Sequence, residues 1–210
     1  MQDYNGFSQL GFHIDDPWVI YDTKLPKTFC DEISEHYYSI SAKKGKTLGG
    51  VDRKVRDVDC RWSTPNDWVS SFIWNYVNTV NQERFRYDLC GMYYTECHHL
   101  EYHPGHFYNW HEDTDHPVIV MDTPKVNSFS AAGLTEYTRK LSFILQLSEE
   151  SDYDGGDVQL LASNNTYMFT LPKDRGTLCV FDSRTRHRVK AVKSGIRNVL
   201  VGWAVGPRWR

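Results

Sequence analysis

The stretch GTLCVFDSRTRHRVKAVKSGIRNVLVGWAVG, residues 176–206, alternates apolar and polar side chains between two short breaks, SRTR and KSG. A period of two puts alternate side chains on one face, so the stretch predicts three strands, over 176–182, 187–192 and 196–205. If KSG closes a hairpin, His187 lies about opposite Val201 and Arg197 about opposite Ala191. His187, Val189 and Ala191 then share a face with Arg197, Val199, Val201 and Trp203. An arginine among apolar neighbours requires an anion, because a buried guanidinium without one is costly. On this register it stands four residues along the ladder from His187, roughly 13 Å at strand rise. An extended arginine and a short diacid held on a metal together span that distance.

The same periodicity runs upstream, predicting strands near 91–103, 107–113, 139–148, 157–161 and 165–170. The breaks YHPGH, DYDGGD, ASNN and LPKDRG consist of turn residues. Eight short strands with no helix between them imply a mainly β fold, a double-sheet jelly roll. The first ninety residues are mixed. LPKTFCDEISEHYYSIS starts a helix near Pro26 and puts Phe29, Ile33, Tyr37 and Ile40 on one face. NDWVSSFIWNYVNTVNQERF repeats the pattern, with Asn66 as the candidate cap and a stripe from Val69 to Val80. Both helices are expected to cover one outer sheet face. The segment 43–56, rich in glycine and cations, reads as a solvated loop or a flap that touches substrate, and 114–138 as a long lid or binding loop. The expected organisation is one catalytic domain, 1–210, with helical support and flap over 1–87 and a β core over 88–206.

Composition narrows the function. A net charge of −3 carries no polyelectrolyte signature, so a nucleic-acid partner is not expected. No apolar run reaches membrane-spanning length, and no signal-peptide pattern opens the sequence. Five scattered cysteines, none spaced C-x-x-C, fit reduced thiols in a cytoplasm better than a disulfide framework.

FYNWHEDTDH, residues 107–116, supplies candidate metal ligands. On a strand His111 and Asp113 point one way, while Trp110 and Glu112 point the other. Asp115 and His116 open the following loop. Two histidines (His111, His187) and one carboxylate (Asp113) suit a non-haem Fe(II) site with three open positions. An α-keto acid can take two of these and dioxygen the third. His98, His99, His103 and His106 receive no metal role.

YHPGHFYNWHED, RKLSFILQLSEESDYDGGDVQL and HRVKAVKSGIRNVLVGW, in this order and spacing over roughly 88–206, resemble the 2-oxoglutarate/Fe(II) oxygenases, specifically their prolyl 4-hydroxylase-like branch. The resemblance implies a double-stranded β-helix, supported by N-terminal α-helices, with iron on His111, Asp113 and His187. It implies that Arg197 pairs with the distal carboxylate of 2-oxoglutarate, that Tyr102 touches this cosubstrate and that Trp203 closes the pocket near iron. Gln146 falls where some animal members have a tyrosine on the same carboxylate, and is carried as a candidate contact. Many collagen-type relatives have lysine in place of Arg197. The expected activity is hydroxylation of a prolyl residue in a peptide or protein, using Fe(II), 2-oxoglutarate and O2 with ascorbate in support, by a monomer or weak homodimer. Three alternatives stay open: the same chemistry on a free amino acid or other small molecule, a non-catalytic metal-binding module, and a cupin-like dioxygenase or isomerase that needs no keto acid but leaves Arg197 unexplained.

Overall fold

The computed structural model describes residues 8–9, 16–47, 50–65, 67–92, 96–114, 118–120, 135–162 and 167–209, the strands 8–9 and 118–120 and residues 135–136 as backbone only. Asn66, the cap expected from the sequence, Asp115, His116 and most of the long loop (121–134) lie outside these residues.

The first part runs β1 (Ser8–Gln9), β2 (Trp18–Asp22), α1 (Lys27–Tyr38), β3 (Lys43–Lys44), β4 (Arg56–Asp57), β5 (Asp59–Trp62) and α2 (Trp68–Val80). Then follow β6 (Cys97–Tyr102), β7 (Phe107–His111), β8 (Val118–Val120), β9 (Thr135–Gln146), β10 (Tyr153–Gly155) and β11 (Val158–Leu161). The chain ends with β12 (Met168–Thr170), β13 (Thr177–Asp182), β14 (His187–Val189), β15 (Val192–Gly195) and β16 (Arg197–Pro207).

Two sheets face each other, as a jelly roll requires. The larger has the order β1-β2-β13-β9-β16-β6-β5-β3, with β8 added beside β9; the smaller is β12-β11-β14-β7-β4. Alternation sorts the side chains of the large sheet between two cores. In β9, Leu141, Phe143 and Leu145 pack outward against Ile33, Tyr37, Ile73 and Val77 of the helices, as the sequence predicted. Ile144 of the same strand turns inward, with Leu100, Phe181 and Val199, onto Leu160 and Val189 of the small sheet. A slip of one residue would exchange the two faces, so the register is fixed by burial on both sides.

The predicted hairpin across KSG does not form. Arg197 pairs with Tyr102 rather than Ala191, and Val201 pairs with His98 and Ile144 rather than His187. The expected 187–192 strand is instead two: β14 lies between β11 and β7, and β15 pairs with β10. The chain crosses from one sheet to the other at this point. The physical reason is that β16, eleven residues long, fills both its edges with the longer ladders of β6 and β9. His187 and Arg197 therefore belong to facing sheets, so the distance along a shared ladder does not apply.

The first ninety residues do more than support the core. β2 extends the large sheet beside β13, and β4 completes the small one beside β7. Segment 43–56 is stitched at both ends, by Lys43 opposite Cys60 and by Arg56 opposite Tyr108. Helix α2 is capped by Asp67, whose side chain accepts from the Val69 amide at 3.0 Å. The Asp67 carboxylate also accepts from the Tyr37 hydroxyl, at 2.8 Å, tying α2 to α1.

Candidate active site

β7 and β14 are neighbours in register, with His111 directly across from His187 and the ring centroids 4.1 Å apart. Each Nδ1 lies beside a carbonyl of its own chain segment: Asn109 at 2.7 Å for His111, Thr185 at 2.9 Å for His187. Donation from Nδ1 fixes the tautomer and leaves both Nε2 lone pairs free. Both Nε2 atoms converge on Asp113, which lies just beyond the end of β7 and is 3.6 Å from each. The Asp113 amide donates to the Ser183 carbonyl (2.9 Å) and its carboxylate accepts from the Ser142 hydroxyl (2.7 Å), so the side chain is held from both ends. The three ligand atoms lie within 4.8 Å of one another. Two unprotonated imidazole nitrogens and a carboxylate fit an iron(II) ion.

Electrostatics agree with that donor set. Burial pushes the Asp113 carboxyl up, but His187, His111 and Arg139 more than offset it and hold it below the usual range. Burial, followed by the neighbouring His187, pushes His111 down to about 3. The pair is thus poised as neutral imidazole beside charged carboxylate.

Arg197 and Tyr102 pair across the β16–β6 ladder, with the guanidinium carbon 5.4 Å from the Tyr102 ring centre. Arg197 is 1% exposed, and Nη2 donates to Gln146 Oε1 at 3.0 Å. Gln146 is itself held, its amide nitrogen donating to the Pro172 carbonyl. Among the described residues no carboxylate meets Arg197, and its Nε has no partner. Gly156, at φ +63°, gives this arginine room: a Cβ there would sit 3.1 Å from Arg197 Cδ. Trp203 comes from the same inward face of β16 and lies under the Arg139 guanidinium at 3.7 Å. Five of the seven residues singled out in the sequence, Tyr102, His111, Asp113, His187 and Trp203, line one cavity between the two sheets, and Arg197 with Gln146 adjoins it through Tyr102.

Two residues of this region, Arg139 and Glu96, escaped the sequence reading, and a third, Arg56, lies in the segment 43–56 expected as a solvated loop or a substrate-touching flap. Arg139 and Glu96 form a buried pair at 2.6 Å, and Arg56 packs 4.7 Å over the Tyr108 ring. Together with Asp113, Trp62 and Trp203 they line an open cavity of about 280 Å³ that leads outward from the His111–Asp113–His187 cluster. The signal for Arg139 was present: it sits at the head of the apolar strand RKLSFILQ, as Arg197 sits in its own. Glu112 points elsewhere, into a separate cavity of about 430 Å³ that none of the three ligands lines.

A second carboxylate–histidine group, Asp59, Glu101 and His103, lies on the outer end of β5 and β6. Its charges are already met: Lys44 is 2.8 Å from Asp59, and His103 is 2.6 Å from Glu101. His98 packs edge-on against Trp203, and His99 is buried under α1 against Tyr37.

Residues 97–205 match the model of the 2OG-Fe(II) oxygenase superfamily. The chain is 35% identical over 82 residues to a PKHD-type hydroxylase of Synechococcus sp. (strain CC9311), covering 39% of this chain and 34% of that protein. It is 34% identical over 92 residues to a PKHD-type hydroxylase of Prochlorococcus marinus, covering 42% and 41%. The matched region thus spans well under half of these relatives. Among solved structures, a Pseudomonas putida prolyl-4-hydroxylase superposes with a TM-score of 0.66 at 20% identity, over 90% of this chain and 92% of that one. A Trichoplax adhaerens prolyl hydroxylase, in complex with a hypoxia inducible factor oxygen degradation domain peptide fragment, gives 0.66 at 19% identity over 90% and 83%. At that identity the likeness is one of fold.

Proposed function

We infer the activity from one premise: this chain belongs to the 2OG-Fe(II) oxygenase superfamily. We read it as an iron(II)- and 2-oxoglutarate-dependent dioxygenase that hydroxylates a prolyl residue of a peptide or protein, releasing succinate and CO2. The observation that carries this is the convergence of two Nε2 atoms on Asp113, facing a buried arginine that lacks an anion. His111, Asp113 and His187 would hold the iron, which with the keto acid supplies the oxidative chemistry. Arg197 binds the distal carboxylate of 2-oxoglutarate, oriented by Gln146 and walled by Tyr102. A bidentate guanidinium–carboxylate pair fixes the angle of the diacid as well as its position. The apolar wall of Phe181, Val189 and Val201 keeps water from the bound keto acid. Trp203, stiffened by the Arg139–Glu96 pair, positions the substrate side chain over the metal ligands.

A peptide suits the open outer cavity, and the Trichoplax neighbour holds a peptide in its complex. A free amino acid or other small molecule is the second reading, and the cations of that cavity favour an acidic one. In either case the domain acts as a monomer or weak homodimer, with ascorbate sustaining iron(II). All five cysteines are free thiols, which accords with a reducing compartment such as the cytoplasm. The test is succinate formation by purified protein with Fe(II), ascorbate and proline-containing peptides, with one added oxygen in the peptide product. Succinate release that no peptide stimulates rejects the prolyl assignment.

A further inference from the structure

Arg56 is 8% exposed, yet among the described residues no carboxylate pairs with it. Its Nη1 donates to the Lys46 carbonyl at 2.9 Å, its Nε has no partner, and its plane lies over Tyr108. Arg139, equally buried in the same cavity, is neutralised by Glu96. Arg197, buried without a carboxylate, is the arginine assigned to the distal carboxylate of 2-oxoglutarate. By the same reasoning Arg56 waits for a second anion, since hydrogen bonds to a carbonyl and an aromatic face leave its charge uncompensated.

Its position says whose anion that is. Arg56 lines both the cavity beside His111 and Asp113 and the open cavity beyond it, where Lys46 and the exposed Trp62 continue the wall. Lys46 places a second cation 5.8 Å from the Trp62 ring. The arrangement is also built for this rotamer: a Cβ on Gly45 would lie 2.8 Å from Arg56 Nε and 2.7 Å from Val58 Cγ1. The geometry points to Arg56, assisted by Lys46, as the residue that selects a carboxylate on the molecule to be hydroxylated. This rests on the hydroxylase reading above. The carboxylate is either an acidic side chain flanking the target residue in a peptide or the free carboxylate of a small acid.

Two sets of probes separate these sources. The first is peptide pairs that contain one proline and differ only by Asp or Glu against Asn or Gln beside it. The second is free proline and other amino acids against their amides. Each is followed by succinate release and product mass. The acidic member is expected to exceed its neutral partner in kcat/KM by roughly tenfold, the scale of one charge-assisted hydrogen bond. Arg56→Gln should erase that preference through KM for the acidic probe, while Arg56→Lys keeps part of it. Lys46→Gln, at an exposed position, should reduce it severalfold without a folding risk. A preference confined to the free acids leaves the selection by Arg56 intact and removes the prolyl-peptide assignment. Equal turnover of acidic and neutral probes overturns the inference. So does a preference that survives Arg56→Gln, or an Arg56→Gln effect that falls wholly on the KM for 2-oxoglutarate.

Discussion

His187 stands directly across the ladder from His111, although 75 residues of chain separate them, and this one register builds two thirds of the proposed metal site. Neither ring can turn away, because each Nδ1 is bonded to the backbone two residues before it. Removing either imidazole leaves two ligands. His111→Ala and His187→Ala are each expected to abolish 2-oxoglutarate turnover while leaving the fold, measured by circular dichroism, unchanged.

Ser142 is not among the proposed metal ligands but hydrogen-bonds one of them, Asp113. Loss of such an outer partner typically costs about 10–100-fold in metal affinity. Ser142→Ala should therefore raise the iron(II) concentration needed for half-maximal activity by about tenfold, with little change in the rate at saturation. A proportional loss of rate at saturating iron would instead place Ser142 in the chemistry.

Arg197→Ala should raise the KM for 2-oxoglutarate by roughly 10–100-fold, the equivalent of a lost hydrogen-bonded ion pair. Gly156→Ala acts on the same contact from the other side. It adds a Cβ 3.1 Å from Arg197 Cδ at a positive φ, so it should raise that KM severalfold and lower stability by about 1 kcal/mol. A Gly156→Ala enzyme with an unchanged KM would mean the arginine moves freely.

Asp182 gives a stability prediction with a pH sign. Burial pushes its carboxyl up, but bonds from Arg184 and from the Tyr87 hydroxyl, at 2.6 Å, more than offset this and lower it from the ordinary 3.8. A carboxyl depressed in the folded state stabilises above its unfolded pKa, and the benefit fades as pH falls through the folded value. Asp182→Asn should therefore melt lower near neutral pH, by about 1 kcal/mol given the half-exposed Arg184, and the two proteins should converge as pH falls through the lowered carboxyl value. Equal melting at neutral pH would show that the pair contributes nothing.

The strand periodicity and the placing of His111 beside Asp113 were legible in the sequence because both depend on neighbours along the chain. His111 and Asp113 follow from a spacing of two, and Arg197 from its misfit among apolar residues. Partner choice was not legible: β14 and β16 carry compatible patterns, and only the two-sided demand of β16 for β6 and β9 sends them to different sheets. Arg56 was hidden for another reason. It lies in a glycine- and lysine-rich segment that reads either as a solvated loop or as a flap that touches substrate, and its place in the site is set only when two residues of β4 pair with β7. Glu96 likewise reveals itself only beside Arg139, 43 residues away.

The most direct test is a crystal structure with manganese(II) and an unreactive 2-oxoglutarate analogue, read by the anomalous signal of the metal. One metal bound by His111 Nε2, Asp113 and His187 Nε2, with the distal carboxylate of the analogue on Arg197, is the predicted result. A metal at Asp59, Glu101 and His103 instead, or an analogue that leaves Arg197 untouched, would contradict it.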